Sequence, residues 1–181
     1  WIGACLVSVQ WPETRRIGGQ DFVHQGERAV LIQAKLEQNK VSLSPQADKR
    51  TLIRRLYFVL IGLPPTPQEV ESFLNDSDPQ AYSKLVNKLL DSSHFGERWA
   101  RHWLDIVRYG ESDGFERNAP RPNSWHYRDW VINALNADMP YDQFVQMQIA
   151  GDRIFPDSSD SILAMGFLVA GIHNTVLGAN A

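Results

Sequence analysis

The fold is decided by the stretch from Glu97 to Tyr109, which reads ERWARHWLDIVRY. Its large apolar residues recur at the spacing of a helical turn and can pack inward together; they are Trp99, Trp103, Ile106 and Val107. A polar stripe recurs beside them at the same spacing, and it consists of Arg98, His102, Asp105 and Tyr109. The stretch therefore predicts an amphipathic helix whose polar face is richer in chemistry than an ordinary solvated surface.

The rest of the chain also carries helix signals. A capping residue precedes a proline at Ser44-Pro45, Thr66-Pro67 and Asp78-Pro79, as at the start of a helix. Thr66 and Glu69 have the spacing of a capping box, and runs of alternating apolar residues are almost absent. We therefore predict an all-α fold, an irregular bundle of about seven helices with an extended N-terminal arm.

The domain organisation follows from length and from these signals. At 181 residues the chain suits one domain with an arm. We assign residues 1–25 to an N-terminal arm or the end of a preceding segment, and residues 26–175 to a single helical domain. Residues 176–181 are expected to be a truncated connection to a missing downstream module.

Charge and cysteine content disfavour several classes of protein. The formal net charge is -3 and basic residues are scattered among acidic ones, so nucleic-acid binding is not predicted.

The apolar opening Trp1–Val9 is too short to span a bilayer, although Ile2-Gly3-Ala4-Cys5 resembles a lipoprotein processing site that would anchor the chain through Cys5. Because Cys5 is the one cysteine and no CxxCH is present, we predict no cofactor within this chain.

His102 and Asp105 are the leading candidates for catalysis. They lie three residues apart on the predicted helix, so the carboxylate can orient the imidazole as a general base or metal ligand requires. In the catalytic interpretation either His102 or Glu111 is the base. The alternative, which we favour, is a buried polar clamp that holds the helix to its neighbour. In it Arg98, Arg101 and Arg108 also compete for Asp105.

The acidic loop after this helix offers oxygen ligands at Glu111, Asp113 and Glu116, next to the flexible Gly114. Such ligands suit Ca²⁺, but the spacing does not match that of an EF-hand. A solvated loop, or pairing with nearby arginines, is favoured over a metal site. Asp113 and Glu116 stay weak metal-ligand candidates.

A second candidate group consists of arginine and tryptophan side chains that can bind a ligand. Guanidinium groups bind sulfate or carboxylate at two points, and an indole face can stack on the C–H surface of a sugar. The candidates are Arg98, Arg108, Arg121, Trp125 and Arg128. We expect Trp99, Trp103 and Trp130 to be core residues, whereas Trp125 can be either core or part of a binding wall.

Five runs of sequence resemble one family; they are RTLIRRL from Arg50, IGLPPTP from Ile61, GERWARHWLD from Gly96, YRDWVI from Tyr127 and QIAGD from Gln148. They resemble the planctomycete cytochrome c-associated domain of unknown function, a helical module that follows a c-type cytochrome domain in large exported proteins. The resemblance covers roughly residues 28–175. It implies an exported protein of the periplasm or cell envelope, with haem c in a missing upstream module and the other modules of the same polypeptide as partners.

We therefore predict an uncharacterised helical module that is a structural or ligand-binding scaffold around a buried Arg/His/Asp/Trp network. The alternative is a part of a hydrolase or lyase acting on acidic or sulfated polysaccharide, with anionic polysaccharide as the partner. The sequence leaves open whether the chain is an enzyme.

Overall fold

The computed structural model describes residues 21–42, 45, 47–114 and 118–171. In these ranges it contains α1 (Asp21–Gln38), α2 (Lys49–Leu60), α3 (Pro67–Asn75), α4 (Ala81–Leu90), α5 (Ser93–Ile106), α6 (Trp125–Asn136), α7 (Tyr141–Ile154), α8 (Ser159–Ala164) and a 3₁₀ helix (Met165–Val169). The same ranges hold no β-strand, only an isolated bridge between Ser112 and Pro120. The predicted all-α fold is confirmed, with eight α-helices in place of about seven.

One predicted helix start at the N-terminal side is corrected. Helix α1 spans Asp21–Gln38, and the assignment of residues 1–25 to an arm stays a prediction. Cys5 and the rest of residues 1–20 lie outside the described residues, as does Ser44. Helix α2 does not start at Pro45, because Asp48 is its N-cap and accepts a hydrogen bond from the Thr51 amide at 2.7 Å.

The chain forms two compact units that divide between Leu90 and Asp91. We call them the N-terminal unit and the C-terminal unit. The single helical domain assigned to residues 26–175 stays a prediction.

The N-terminal unit packs α2 against α3 and α4. Its buried apolar residues come from all three helices: Leu52, Ile53, Tyr57, Leu60, Phe73, Ala81, Leu85, Val86 and Leu89. The predicted capping box at the start of α3 is confirmed, since the Glu69 amide donates to Thr66 Oγ1 and the Thr66 amide donates to Glu69 Oε2 at 3.0 Å. These contacts fix where α3 begins.

The Glu69 carboxylate also links α3 to its neighbours. Lys88 of α4 donates to Glu69 Oε1 at 3.0 Å. The Tyr57 hydroxyl of α2 is buried and has no partner of full hydrogen-bond geometry among the described residues, yet it lies close enough to act on this carboxylate. The nearby Tyr57 hydroxyl and the hydrogen bonds from the Thr66 amide and Lys88 together hold the pKa of Glu69 down to about 2, and burial raises the pKa of Tyr57.

The C-terminal unit is built on α5 and α6, which approach closely at Gly96. A Cβ atom at this position would lie 2.5 Å from the carbonyl oxygen of Ile132. Asn136 closes the contact, because its Oδ1 accepts from the Gly96 amide at 2.8 Å and its Nδ2 donates to the Ser93 carbonyl at 3.0 Å. The absence of a side chain at Gly96 therefore sets the distance between the two helices.

Helix α7 and the segments after it complete the C-terminal unit. Helix α7 is kinked at Ala150 (φ -143, ψ 35) and packs against α8 and the 3₁₀ helix. The core cluster of this unit contains Ala100, Leu104, Tyr127, Trp130, Val131, Ala134, Phe144, Met147, Ala164 and Ala170. The polar residues of the candidate site lie in and around this core.

Candidate functional site

The middle of the polar face of α5 is exposed, contrary to the predicted burial, whereas Arg98 and Tyr109 at its two ends are half-buried. His102 and Asp105 are both exposed, and no hydrogen bond or ion pair joins them within the part of the chain that the structure describes. The His102 ring instead packs edge-on against Trp99, with ring centroids 5.3 Å apart. The expected clamp of His102 with Asp105 is therefore wrong, and these two residues do not form a buried network.

The apolar face of α5 is rotated relative to the predicted one. Trp103 and Val107 pack against the core cluster as expected. Trp99 is 37% exposed and Ile106 is 73% exposed, so the prediction of a core role for both is wrong. The inward stripe instead passes through Gly96, Ala100 and Leu104, and the close approach to α6 at Gly96 leaves no room for a side chain there.

The buried polar contacts of the C-terminal unit involve three other side chains, which we call the core network: Trp103, Tyr127 and Gln148. Trp103 Nε1 donates to the Tyr127 hydroxyl at 2.9 Å and to Gln148 Oε1 at 3.0 Å. The Tyr127 hydroxyl donates to the same Oε1 at 2.6 Å, and Gln148 Nε2 donates to the Phe144 carbonyl at 2.9 Å. The core network thus joins α5, α6 and α7, and every polar atom in it has a partner.

Two side chains of the core network are almost fully buried. Gln148 is 1% exposed and Tyr127 is 3% exposed. Burial raises the pKa of Tyr127 to about 12, so its hydroxyl stays a proton donor throughout the neutral range. Sequence reasoning missed Gln148 as a functional residue. The available signal was a glutamine one turn after Phe144, on the apolar side of a predicted helix.

Arg121, predicted to bind an anion, is bonded to the backbone. Its Nη1 donates to the carbonyls of Gly110, Ala170 and Gly171, each at 3.0 Å, and its Nη2 donates to the carbonyl of Val169. The guanidinium group therefore caps the carbonyls at the end of the 3₁₀ helix and fastens the preceding loop to them. Asp113 Oδ1 lies 3.9 Å from its Nε and balances the charge.

Arg128 is paired with carboxylates. Its Nη1 donates to Glu111 Oε1, and its Nε donates to Asp129 Oδ1 at 3.1 Å. Burial lowers the pKa of Arg128, but the pairs with Asp129 and Glu111 outweigh it and the pKa is raised. Tyr109 completes this group by donating to Glu111 Oε1 at 3.3 Å, and burial is the main reason that the pKa of Tyr109 is raised. Glu111 is thus a partner of Arg128 and Tyr109, and no hydrogen bond or ion pair joins it to His102 in the described ranges.

The two remaining arginine candidates have different surroundings. Arg98 is half-buried, and its buried Nε has no hydrogen-bond partner in the described ranges. Arg108 is exposed and adopts a left-handed backbone conformation (φ 54) just after α5. The Tyr109 amide then bonds the Leu104 carbonyl at 2.9 Å, so Arg108 occupies the position that ends the helix.

The metal hypothesis rested on Asp113 and Glu116. Asp113 is half-buried beside Arg121, and Glu116 lies outside the described residues. Among the residues that are described, no three His, Cys, Asp or Glu side chains come together as a metal site would require. None of the helices in the same ranges combines the length and hydropathy that a bilayer crossing needs.

An open cleft of about 470 Å³ lies in the C-terminal unit. Its apolar wall is formed by prolines and by residues of α8 and the 3₁₀ helix, and its polar wall includes Tyr109, Arg121, Asn123, Ser124 and His126. Next to it, the Trp125 indole stacks on the His126 ring at a centroid distance of 3.7 Å and is 43% exposed. Trp125, left open by the sequence, is therefore outside the core, whereas Trp130 is 5% exposed and is a core residue as predicted.

Comparison with known proteins identifies one family. The family model PSCyt2, described as a protein of unknown function (DUF1549), matches residues 29–180. No curated protein and no solved structure matches the chain. The match confirms the resemblance that the five sequence runs carry.

Proposed function

Since this chain belongs to the PSCyt2 family of proteins of unknown function, we propose that it is a non-catalytic scaffold module. One observation carries the proposal: the polar side chains in the C-terminal unit are used to hold helices and loops together. The core network joins three helices, Arg121 binds backbone carbonyls, and Arg128 is paired with two carboxylates. The proposed base His102 has no orienting carboxylate in the described ranges.

In this proposal the module belongs to an exported multidomain protein of the periplasm or cell envelope. Its partners are the other modules of the same polypeptide, one of which carries haem c. The sequence resemblance supports this part of the proposal. The haem does not fit this chain itself, because Cys5 is its one cysteine and it has no CxxCH to attach the group.

The enzymatic alternative, a hydrolase or lyase acting on acidic polysaccharide, gives the test. The full chain is incubated with heparin and with alginate, and new reducing ends and unsaturated uronates are measured. The proposal predicts no product above the level of the heat-inactivated chain. Product from the native chain would contradict it, and loss of that product in His102→Ala with an unchanged fold would identify His102 as the base.

A further inference from the structure

We propose that one side of α5 is a self-association surface, which packs in antiparallel orientation against the same side of α5 from a second copy of this chain. We call this side the α5 stripe, and it consists of Arg98, Trp99, His102, Asp105 and Ile106. The scaffold role neither requires nor excludes this association, so the two are tested separately.

Exposed apolar side chains on the α5 stripe are the first observation. Trp99 is 37% exposed and Ile106 is 73% exposed, and residues seven apart in an α-helix lie on nearly the same side. The Trp99 indole is held between two neighbours on the same helix, with ring centroids 5.9 Å from Phe95 and 5.3 Å from His102. A tryptophan that is already fixed in place loses little conformational freedom on binding, and tryptophan is enriched among the residues that dominate protein interfaces.

Two unpaired charges on the same stripe are the second observation. Arg98 and Asp105 are also seven residues apart, and neither forms an ion pair within the described part of the chain. Arg98 is half-buried, and its buried Nε has no acceptor among the described residues. A guanidinium group that is partly removed from water is stabilised when a carboxylate binds it at two points. A surface that fits the α5 stripe therefore carries a carboxylate opposite Arg98 and a cation opposite Asp105.

The α5 stripe meets these requirements itself. When two copies of α5 lie antiparallel about a two-fold axis near His102, Arg98 of each copy faces Asp105 of the other. Trp99 and Ile106 face each other across the same axis, because His102 lies midway within both pairs. Such a contact is isologous, since each residue meets in the second copy the residue that meets it.

The order of the charges also selects the orientation. In a parallel pair of helices, Arg98 would face Arg98 and Asp105 would face Asp105, and like charges in an interface repel. The antiparallel pair brings opposite charges together at both ends of the stripe. Charge complementarity therefore favours a second copy of the chain in antiparallel orientation.

The size of the surface sets the expected affinity. The stripe covers one side of a single helix, and contacts that bury less than about 1,200 Å² in total are typical of weak complexes. We expect a dissociation constant on the order of 10 µM, so that the chain is monomeric when dilute and dimeric when concentrated.

Analytical ultracentrifugation of the full chain, from about 1 µM to about 500 µM, measures this equilibrium. Arg98→Glu and Asp105→Lys should each weaken the dimer at least about tenfold, because each variant places like charges opposite each other at both ends of the stripe. An equimolar mixture of the two variants should restore the dimer to within about threefold of wild type, since opposite charges then face each other at both ends. Misfolding of either variant cannot produce this recovery.

Arg50→Glu is the control for net charge, because Arg50 is an exposed arginine of α2 and the substitution changes the charge by the same amount as Arg98→Glu. It should leave the dissociation constant within about twofold of wild type. A chain that stays monomeric over the whole concentration range would overturn the proposal. So would a dimer that tolerates Arg98→Glu, an equal loss in Arg50→Glu, or a mixture of the two stripe variants that does not associate.

Discussion

Single charged side chains hold several groups together in both units of this protein. The Glu69 carboxylate accepts hydrogen bonds from the Thr66 amide at the start of its own helix and from Lys88 of the next helix, and it lies near the Tyr57 hydroxyl. Arg121 binds four backbone carbonyls. Such residues look like site residues in a sequence because they are charged and stand near aromatic rings. Their partners are mostly backbone atoms, which a sequence pattern does not reveal.

Glu69 gives a pH-dependence that can be measured. The pKa of its carboxyl is lowered to about 2 in the folded chain, while an unfolded chain has an ordinary glutamate pKa of about 4.3. The ionised form is therefore favoured by folding, so its contribution is present above pH about 4.3 and is lost as the pH falls toward 2. We expect Glu69→Gln to lower the free energy of unfolding by about 1–2 kcal/mol at pH 7, after allowance for solvent screening.

Urea unfolding of both proteins between pH 7 and pH 2 measures this effect. The gap between wild type and Glu69→Gln should close as the pH approaches 2. Glu71→Gln is the control, because Glu71 is exposed on the same helix. A gap that stays constant over this pH range would show that the Glu69 carboxylate contributes nothing through its charge.

At the scale of helices, contacts depend on how closely two axes approach. Helix α5 meets α6 where Gly96 faces Ile132 and Asn136. In an ordinary exposed helix, Gly→Ala stabilises by about 1 kcal/mol. Here the added Cβ would lie 2.5 Å from the Ile132 carbonyl oxygen, so the helices must separate. We expect Gly96→Ala to destabilise the chain by about 2 kcal/mol, with the sign reversed from the propensity effect.

Thermal unfolding with a parallel urea titration shows whether Gly96→Ala lowers or raises the stability of the chain. Gly171→Ala is the control, since a Cβ at Gly171 would have no neighbouring atom of the described residues within 4 Å. An increase in stability for Gly96→Ala would mean that α5 and α6 are not held at this distance.

Local signals predicted the helices well, and long-range contacts were missed. The Thr66–Glu69 capping box depends on residues three apart, so the sequence was enough to place the start of α3. The start of α2 was misplaced because proline after serine is only one of several ways to cap a helix, and Asp48 supplies the cap. The inward face of α5 was misjudged because it is set by where α6 approaches, at Gly96, and the spacing of large apolar residues within α5 does not reveal that position.

At the scale of the whole C-terminal unit, the candidate site could be predicted only in part, because its contacts are also long-range. Trp103 was correctly placed inward, but its partners Tyr127 and Gln148 lie 24 and 45 residues away. His102 and Asp105 have the right spacing for a pair, yet both are exposed and unpaired in the described part of the chain. Spacing on one helix fixes which side chains can meet. The packing of the other helices decides which of them are buried.

The central claim is that the core network, rather than the His102 face, holds the C-terminal unit together. The most direct test compares unfolding free energies in urea for Gln148→Leu and His102→Ala. Gln148→Leu leaves the buried Tyr127 hydroxyl without its acceptor, and we expect a loss of about 2–3 kcal/mol. Gln146→Leu, an exposed position on the same helix, and His102→Ala should stay within about 0.5 kcal/mol of wild type. An unchanged Gln148→Leu together with a strongly destabilised His102→Ala would contradict the account.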